Sequence, residues 1–279
     1  MRQVAFKQVD VFTRAPFRGN PVAVVLDGNG LSTAEMQRIA AWTNLSETTF
    51  VLPPTSKDAD YRLRIFTPRA ELPFAGHPTI GSAHAVLEGG IAKAKNGKLR
   101  QECGAGVLEL GVEGELLWLK APPASVSPLE SGLIHELEAA LGAKLQAQPK
   151  VVNVGPVWIV GELADASAID QLVPDMASIA KITDATEATG VTVFGKTAGG
   201  EAAFHVRSFA PAHGIPEDPV CGSGNISVAT YVRGTGKSQY TARQGMQLGR
   251  DGRVAIRIEG EQIFLGGSAV TCVEGKLRL

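Results

Sequence analysis

The alternation of apolar and polar residues predicts a chain dominated by β-strands. Apolar side chains occupy every second position in residues 61–66, and residues 6–12 alternate in the same way. This period of two is typical of strands with one buried face. A capping box formed by Ser32 and Glu35 opens one predicted helix. A run of small and apolar residues predicts a second helix over 79–87.

The same pattern occurs twice along the chain. Residues of the first copy recur 140 to 146 positions later, with the order of strands and helices preserved. Arg64 and Arg207 form one such pair, and Gly81 and Gly224 form another, both 143 positions apart. A nearly constant offset over this length indicates an internal repeat. We therefore predict an α+β protein made of two copies of one β-rich domain, each with one main buried helix.

The length of 279 residues suits two domains of ordinary size. A proline-rich stretch at 121–128 predicts the linker between them. We predict an N-terminal domain over residues 1–120 and a C-terminal domain over residues 125–267. Residues 268–279 are expected to cross back and complete the first domain.

Composition narrows the range of partners. The net charge is −1, with acidic and basic residues mixed along the chain. Proteins that bind nucleic acids or membrane surfaces usually have a concentrated basic face, so this charge pattern argues against both partners. No apolar run approaches the ~20 residues of a membrane helix, and the start resembles no signal peptide. The three cysteines are far apart and suit no disulfide framework. We expect a cytoplasmic protein that acts on a small molecule, binds no nucleic acid or membrane, and has a homodimer among its candidate assemblies.

Residues 218–225 hold the densest set of chemical groups. They place the Asp218 carboxylate, the Cys221 thiol and the Ser223 hydroxyl beside Gly222 and Gly224, at the start of a predicted helix. A helix start exposes backbone N–H groups that bind anions. The stretch therefore predicts a carboxylate cradle with acid–base groups beside it. The alternative interpretation is a tight turn from strand to helix with a serine cap.

Differences between the two copies indicate which residues could act on a substrate. The predicted helix starts at Thr79 and Ser223 would face each other across a cleft between the domains and hold a carboxylate or an enolate oxygen. Glu47 in the first copy corresponds to Gly190 in the second, and Asp218 corresponds to Ala75. We infer that the repeat supplies the scaffold and that each half contributes different groups.

Several segments together resemble the PhzF-like isomerase family, which is related to the phenazine-biosynthesis isomerase and to diaminopimelate epimerase. They are residues 9–12 (VDVF), 17–21 (FRGNP), 46–50 (SETTF), 66–68 (FTP) and 72–79 (LPFAGHPT), and Asp218-Pro219 with Gly222-Ser223. The resemblance covers nearly the whole chain. It implies two domains, each a barrel-like sheet around a central helix, with no cofactor. It also implies isomerisation resembling that of trans-2,3-dihydro-3-hydroxyanthranilate, by single-glutamate acid–base catalysis.

The resemblance assigns the catalytic acid–base role to Glu47 and supporting roles to His77, Asp218 and Ser223. Residues expected to contact substrate are Gly76, Thr79, Gly222, Gly224 and Cys221. Each has a structural alternative. Glu47 could be a solvated loop residue, His77 could brace its turn, and Asp218 could cap the next turn.

Asp218 beside a helix start is expected to stay ionised. Cys221 is either a low-pKa thiolate or a small buried filler. The epimerase branch uses a cysteine at the head of each helix, and Pro78 stands where the first would be. Two alternatives stay open: an amino-acid epimerase or racemase, and a small-anion binding protein without catalysis. No His, Cys or Asp cluster has metal-ligand spacing, and no glycine-rich loop matches a dinucleotide fingerprint.

Overall fold

The computed structural model describes residues 2–279, which form 18 β-strands and six α-helices. The strands are β1 (Gln3–Val11), β2 (Asn20–Val25), β3 (Thr48–Leu52), β4 (Tyr61–Phe66), β5 (Glu71–Leu72), β6 (Lys98–Cys103), β7 (Gly106–Glu113), β8 (Leu116–Lys120), β9 (Ser125–Pro128), β10 (Lys150–Asn153), β11 (Val157–Glu162), β12 (Gly190–Lys196), β13 (Phe204–Ala210), β14 (Ile215–Asp218), β15 (Gln239–Gln244), β16 (Gly252–Glu259), β17 (Gln262–Gly267) and β18 (Ala269–Arg278). The helices are α1 (Thr33–Thr43), α2 (Gly76–Glu88), α3 (Ser131–Leu141), α4 (Ala166–Asp170), α5 (Met176–Ala185) and α6 (Gly222–Val232).

The chain divides into two compact units. The first contains the chain through Leu119 together with Gly266–Leu279, and the second contains Lys120–Leu265. The last strand, β18, belongs to the first unit, where it pairs antiparallel with β1. The first unit is therefore built from both ends of the described chain.

Each unit, taken by itself, pairs its strands in the same order. In the first unit β1 is antiparallel to β2, β2 is parallel to β3, β3 is antiparallel to β4, and β4 is parallel to β6. In the second unit β10 is antiparallel to β11, β11 is parallel to β12, β12 is antiparallel to β13, and β13 is parallel to β15. Each unit also contains its own bidentate ion pair. In the first unit it joins Arg64 to Glu71, and in the second it joins Arg207 to Glu217.

One buried helix in each unit packs closely on its sheet, α2 in the first and α6 in the second. Glycine permits this approach at both matched positions. A Cβ on Gly81 would lie 2.4 Å from Val22 Cγ1, and a Cβ on Gly224 would lie 2.5 Å from Ser208 Oγ. Real Cβ atoms do not come this close to other heavy atoms, so any larger residue would push the helix off the sheet.

The capping box at the start of α1 is present as predicted. The Glu35 N–H donates to Ser32 Oγ at 3.3 Å, and the Ser32 N–H donates to Glu35 Oε2 at 2.8 Å. Two backbone N–H groups at the helix start, which have no acceptor within the helix, are thereby hydrogen-bonded at a polar, exposed end. Met36 and Ala40 turn inward from the same helix and pack against Phe50.

Two sequence predictions need correction. The helix predicted over 79–87 begins at Gly76, three residues earlier, so His77 and Pro78 lie in its first turn. Proline suits this position because the first-turn N–H groups have no intrahelical acceptor. The predicted linker at 121–128 also contributes a strand, since β9 pairs antiparallel with β10. Its prolines are compatible with a strand at a sheet edge.

Candidate active site

The end of α1 and the start of β3 fix the position of Glu47. Asn44 ends the helix in the left-handed conformation, with φ of 54°, and the chain enters β3 at Thr48. The Glu47 carbonyl accepts a hydrogen bond from the Ala23 N–H at 3.3 Å, which ties this backbone to β2. The Glu47 side chain is 15% exposed. The Glu47 side chain is thus held between α1 and β3 with most of its surface out of water.

His77 is a titratable neighbour of this carboxyl group. Its Nε2 lies 3.3 Å from Glu47 Oε2. Burial lowers the pKa of His77 to about 4, although its hydrogen bond to the Pro21 carbonyl opposes the shift. The imidazole is therefore neutral at pH 7, and the contact with Glu47 is no ion pair. His77 thus makes the bracing bond of the structural alternative, while its Nε2 contacts the Glu47 carboxyl group.

The N-terminus of α2 lies beside this pair. Gly76 is the first helical residue, and the preceding Ala75 makes no side-chain cap. The first amide groups of a helix lack intrahelical acceptors and attract anions. Thr79, by contrast, is fully buried, and its Oγ1 accepts from Gln101 Nε2 at 3.2 Å. The Thr79 hydroxyl is therefore engaged in the core of the unit.

In the second unit, Asp218 ends β14 immediately before α6. Its Oδ1 accepts the Val220 N–H at 3.0 Å. Burial of the carboxyl group raises the pKa of Asp218 to about 6, against the lowering effect of its hydrogen bonds from Val220 and Cys221. Proximity to a helix start was expected to keep this group ionised, and at pH 7 it is still mostly ionised, but desolvation brings its titration closer to neutral pH. Asp218 can accordingly take up a proton close to neutral pH.

Cys221 is the N-cap of α6. Its Sγ accepts the Gly224 N–H at 3.2 Å, and the residue is 4% exposed. Burial raises the pKa of the thiol, and the neighbouring Asp218 carboxylate raises it further. Of the two sequence interpretations, the structure thus favours the neutral, buried capping group over the low-pKa thiolate. Gly222 then forms the first residue of the helix.

Ser223 is the second residue of α6, two positions past the N-cap residue Cys221, so it is not the serine cap of the alternative interpretation. Its Oγ accepts a hydrogen bond from Trp158 Nε1 at 3.0 Å. Sequence patterns did not indicate Trp158, which lies 65 positions away on β11. A strand tryptophan carries no motif, so only the register of the sheet reveals this contact.

A buried amide pair supports the same turn and was also missed. Asn225 Nδ2 donates to the Cys221 carbonyl and to Gln244 Oε1, both at 2.8 Å. Gln244 Nε2 in turn donates to the Asp218 carbonyl at 3.0 Å. These bonds fix the backbone between β14 and α6, and therefore the direction of the Asp218 and Ser223 side chains.

Residues 9–275 match the family model described as "Phenazine biosynthesis-like protein". The chain belongs to this family. It is 44% identical to "Antisense-enhancing sequence 1" of Schizosaccharomyces pombe, over 99% of both chains. It is 34% identical to trans-2,3-dihydro-3-hydroxyanthranilate isomerase of Pseudomonas aeruginosa, over 97% of this chain and 98% of that one. The crystal structure of a Bacillus anthracis phenazine biosynthesis protein of the PhzF family matches with a TM-score of 0.89 at 26% identity, covering 100% of both chains.

Membership of the phenazine biosynthesis-like family confirms the predicted resemblance. The close structural match confirms the predicted α+β fold class, with its two pseudo-repeated domains. The predicted enzyme class, an isomerase of the PhzF-like kind, is likewise confirmed by the named relatives. Within residues 2–279, no helix is long and apolar enough to cross a membrane, and no group of three or more His, Cys, Asp or Glu side chains could hold a metal ion.

Proposed function

We propose that this protein is a cofactor-independent isomerase that moves a proton between two carbons of a small carboxylate. Glu47 serves as the single general acid–base. The reaction resembles that of trans-2,3-dihydro-3-hydroxyanthranilate isomerase, the activity named for the Pseudomonas aeruginosa relative. The proposal joins the family's isomerase class to the groups found in each unit.

The observation that carries the proposal is the Glu47–His77 pair. A charged histidine 3.3 Å away would hold the carboxylate as an ion pair and make it a poor base. The low pKa of His77 removes that charge at neutral pH. Glu47 therefore has a polar neighbour that does not suppress its basicity.

In the proposed step, a Glu47 oxygen removes a proton from a substrate carbon. The electron pair of the broken C–H bond becomes part of a shifted double bond, and negative charge develops on the conjugated carboxylate. The protonated Glu47 then delivers the same proton to a second carbon and returns to the carboxylate form. Amide groups at a helix N-terminus, such as that of Gly76, suit the developing charge.

Asp218 and Ser223 are proposed to take part in the same reaction by binding polar groups of the substrate. A pKa of about 6 lets the Asp218 carboxyl either accept a hydrogen bond from a substrate amine or hydroxyl or donate one when protonated. The Gly222 and Gly224 positions keep the start of α6 open to a carboxylate.

The features of this chain favour the isomerase over the two-cysteine epimerase. Pro78 supplies no thiol, and the Cys221 thiol is neutral and acts as a helix cap. A small-anion binding protein would need the helix N-termini but would gain nothing from a largely buried Glu47 beside a neutral imidazole.

Glu47→Gln tests the proposal because glutamine keeps the shape but cannot accept the proton. With trans-2,3-dihydro-3-hydroxyanthranilate as substrate, we expect turnover to fall at least about a hundredfold, the scale of general acid–base catalysis. Calorimetry should show nearly unchanged binding, and NMR in deuterated water should show the loss of deuterium incorporation.

The matched control is Glu115→Gln, which makes the same chemical change at a side chain that is 74% exposed and paired with Arg14. It should behave like the wild type. If Glu47→Gln still exchanges substrate protons at close to the wild-type rate, Glu47 is not the acid–base and the mechanism is wrong.

A further inference from the structure

The position that corresponds to Glu47 in the second unit has no room for a side chain. Gly190 begins β12, directly opposite Trp158 on β11. A Cβ on Gly190 would lie 2.6 Å from Trp158 Cζ3 and 2.2 Å from the Phe209 carbonyl oxygen. The indole ring therefore fills the space that a residue at position 190 would need. The second unit has a buried tryptophan in place of a second catalytic carboxylate.

The indole makes one directed polar contact. Trp158 is 3% exposed, and its Nε1–H donates to Ser223 Oγ at 3.0 Å. Because an indole N–H is a donor only, the serine oxygen is the acceptor in this bond. The hydroxyl hydrogen of Ser223 must then point elsewhere. Cys221 Sγ lies 3.6 Å from the same oxygen, and a neutral thiol is a weak acceptor.

We propose that Trp158 is a positioning residue for the isomerase reaction: it fixes Ser223 as a hydrogen-bond donor toward the substrate. Ser223 would then recognise an acceptor oxygen, a carboxylate or carbonyl, and not an amine. The inference rests on the proposed function and deepens it, since it assigns the group in the second unit that selects a substrate oxygen. Gly190 is required because any side chain there would meet both the indole and the Phe209 carbonyl oxygen.

Trp158→Phe removes the N–H donor while keeping an aromatic ring against Gly190. With trans-2,3-dihydro-3-hydroxyanthranilate, we expect KM to rise about three- to tenfold, the scale of one hydrogen bond, and kcat to change less than about twofold. Ser223→Ala should raise KM at least as much. The double variant should match Ser223→Ala alone, because both changes remove one interaction. Trp42→Phe, at a side chain that is 80% exposed, should leave KM unchanged.

A second measurement needs no turnover. In the ¹⁵N-labelled protein, the Trp158 indole resonance is assigned by its loss in Trp158→Phe. It should shift in Ser223→Ala, whereas the Trp42 resonance should stay in place. Addition of trans-2,3-dihydro-3-hydroxyanthranilate to Glu47→Gln should also move the Trp158 resonance, since a ligand oxygen on the Ser223 hydroxyl polarises the bond behind it.

The outcomes separate the two proposals. If Glu47→Gln remains fully active but the Trp158 resonance responds to Ser223→Ala and to the compound, the acid–base assignment fails and the positioning role stands. If Trp158→Phe keeps the wild-type KM, if the effects of the two variants add, or if the indole resonance ignores the compound, the positioning role is overturned. Loss of kcat with unchanged KM would also contradict it.

Discussion

Asp218 should make the folded protein less stable as the pH rises, the reverse of the usual behaviour of an aspartate. Its pKa is about 6 in the folded chain, against an ordinary value of 3.8. Between these two values the folded state binds more protons than the unfolded state does. Stability therefore falls as pH increases through this window, and the loss is complete above pH 6.

The size of the effect follows from the two pKa values. Their difference corresponds to about 3 kcal/mol, at 1.36 kcal/mol for each pKa unit. Because the side chain is half-buried and solvent screens part of the charge, we expect about 2 kcal/mol. Asp218→Asn keeps an acceptor for the Val220 N–H and cannot ionise. The variant should therefore be about 2 kcal/mol more stable than the wild type at pH 7 and nearly equal to it at pH 4.

Urea denaturation of both proteins from pH 4 to 7.5 measures this difference, and groups that titrate equally in both cancel. Asp58→Asn, at an exposed aspartate of the first unit, makes the same chemical change far from α6 in the sequence and provides the control. A difference in unfolding free energy that is independent of pH, or a variant that is less stable at pH 7, would refute the reasoning. Turnover should fall in the same variant if Asp218 contacts the substrate.

Three further changes have defined outcomes. Cys221→Ser should retain most of the isomerase activity, whereas a loss of about a thousandfold in turnover would indicate a catalytic thiol. Gly190→Ala should lower the unfolding free energy by about 3 kcal/mol in denaturant titrations, because its Cβ would lie 2.2 Å from the Phe209 carbonyl oxygen. Thr79→Val should cost about 1–2 kcal/mol of stability, since Gln101 loses a buried partner, and should leave kcat unchanged.

Local signals predicted much of the fold. The sequence predicted the capping box of α1 and the internal repeat, whose matching residues lie about 143 positions apart. Both features depend only on residue type and spacing. The start of α2 could not be predicted in this way, because a proline such as Pro78 normally indicates a turn. Its place in a first helical turn depends on the preceding backbone reaching the helix at Gly76, which no spacing rule indicates.

The candidate residues illustrate the same limit. Glu47 and His77 were named from the sequence, but the neutral state of the imidazole depends on its burial. Asp218 was expected to stay ionised because a helix start is visible in the sequence, but its raised pKa was not predicted because desolvation is not visible there. Gly190 was interpreted as the absence of a carboxylate, and the structure adds the indole of Trp158 that excludes one.

The pairing of β18 with β1 has a consequence for biosynthesis. Residues 120–265 all leave the ribosome before β18 does, so the second unit has its complete chain first. The first unit must wait for its final strand, with one edge of β1 unpaired while the intervening residues are translated. An open strand edge is a site for mispairing. Translation speed over the second half of the message thus sets how long that edge stays exposed in the nascent chain.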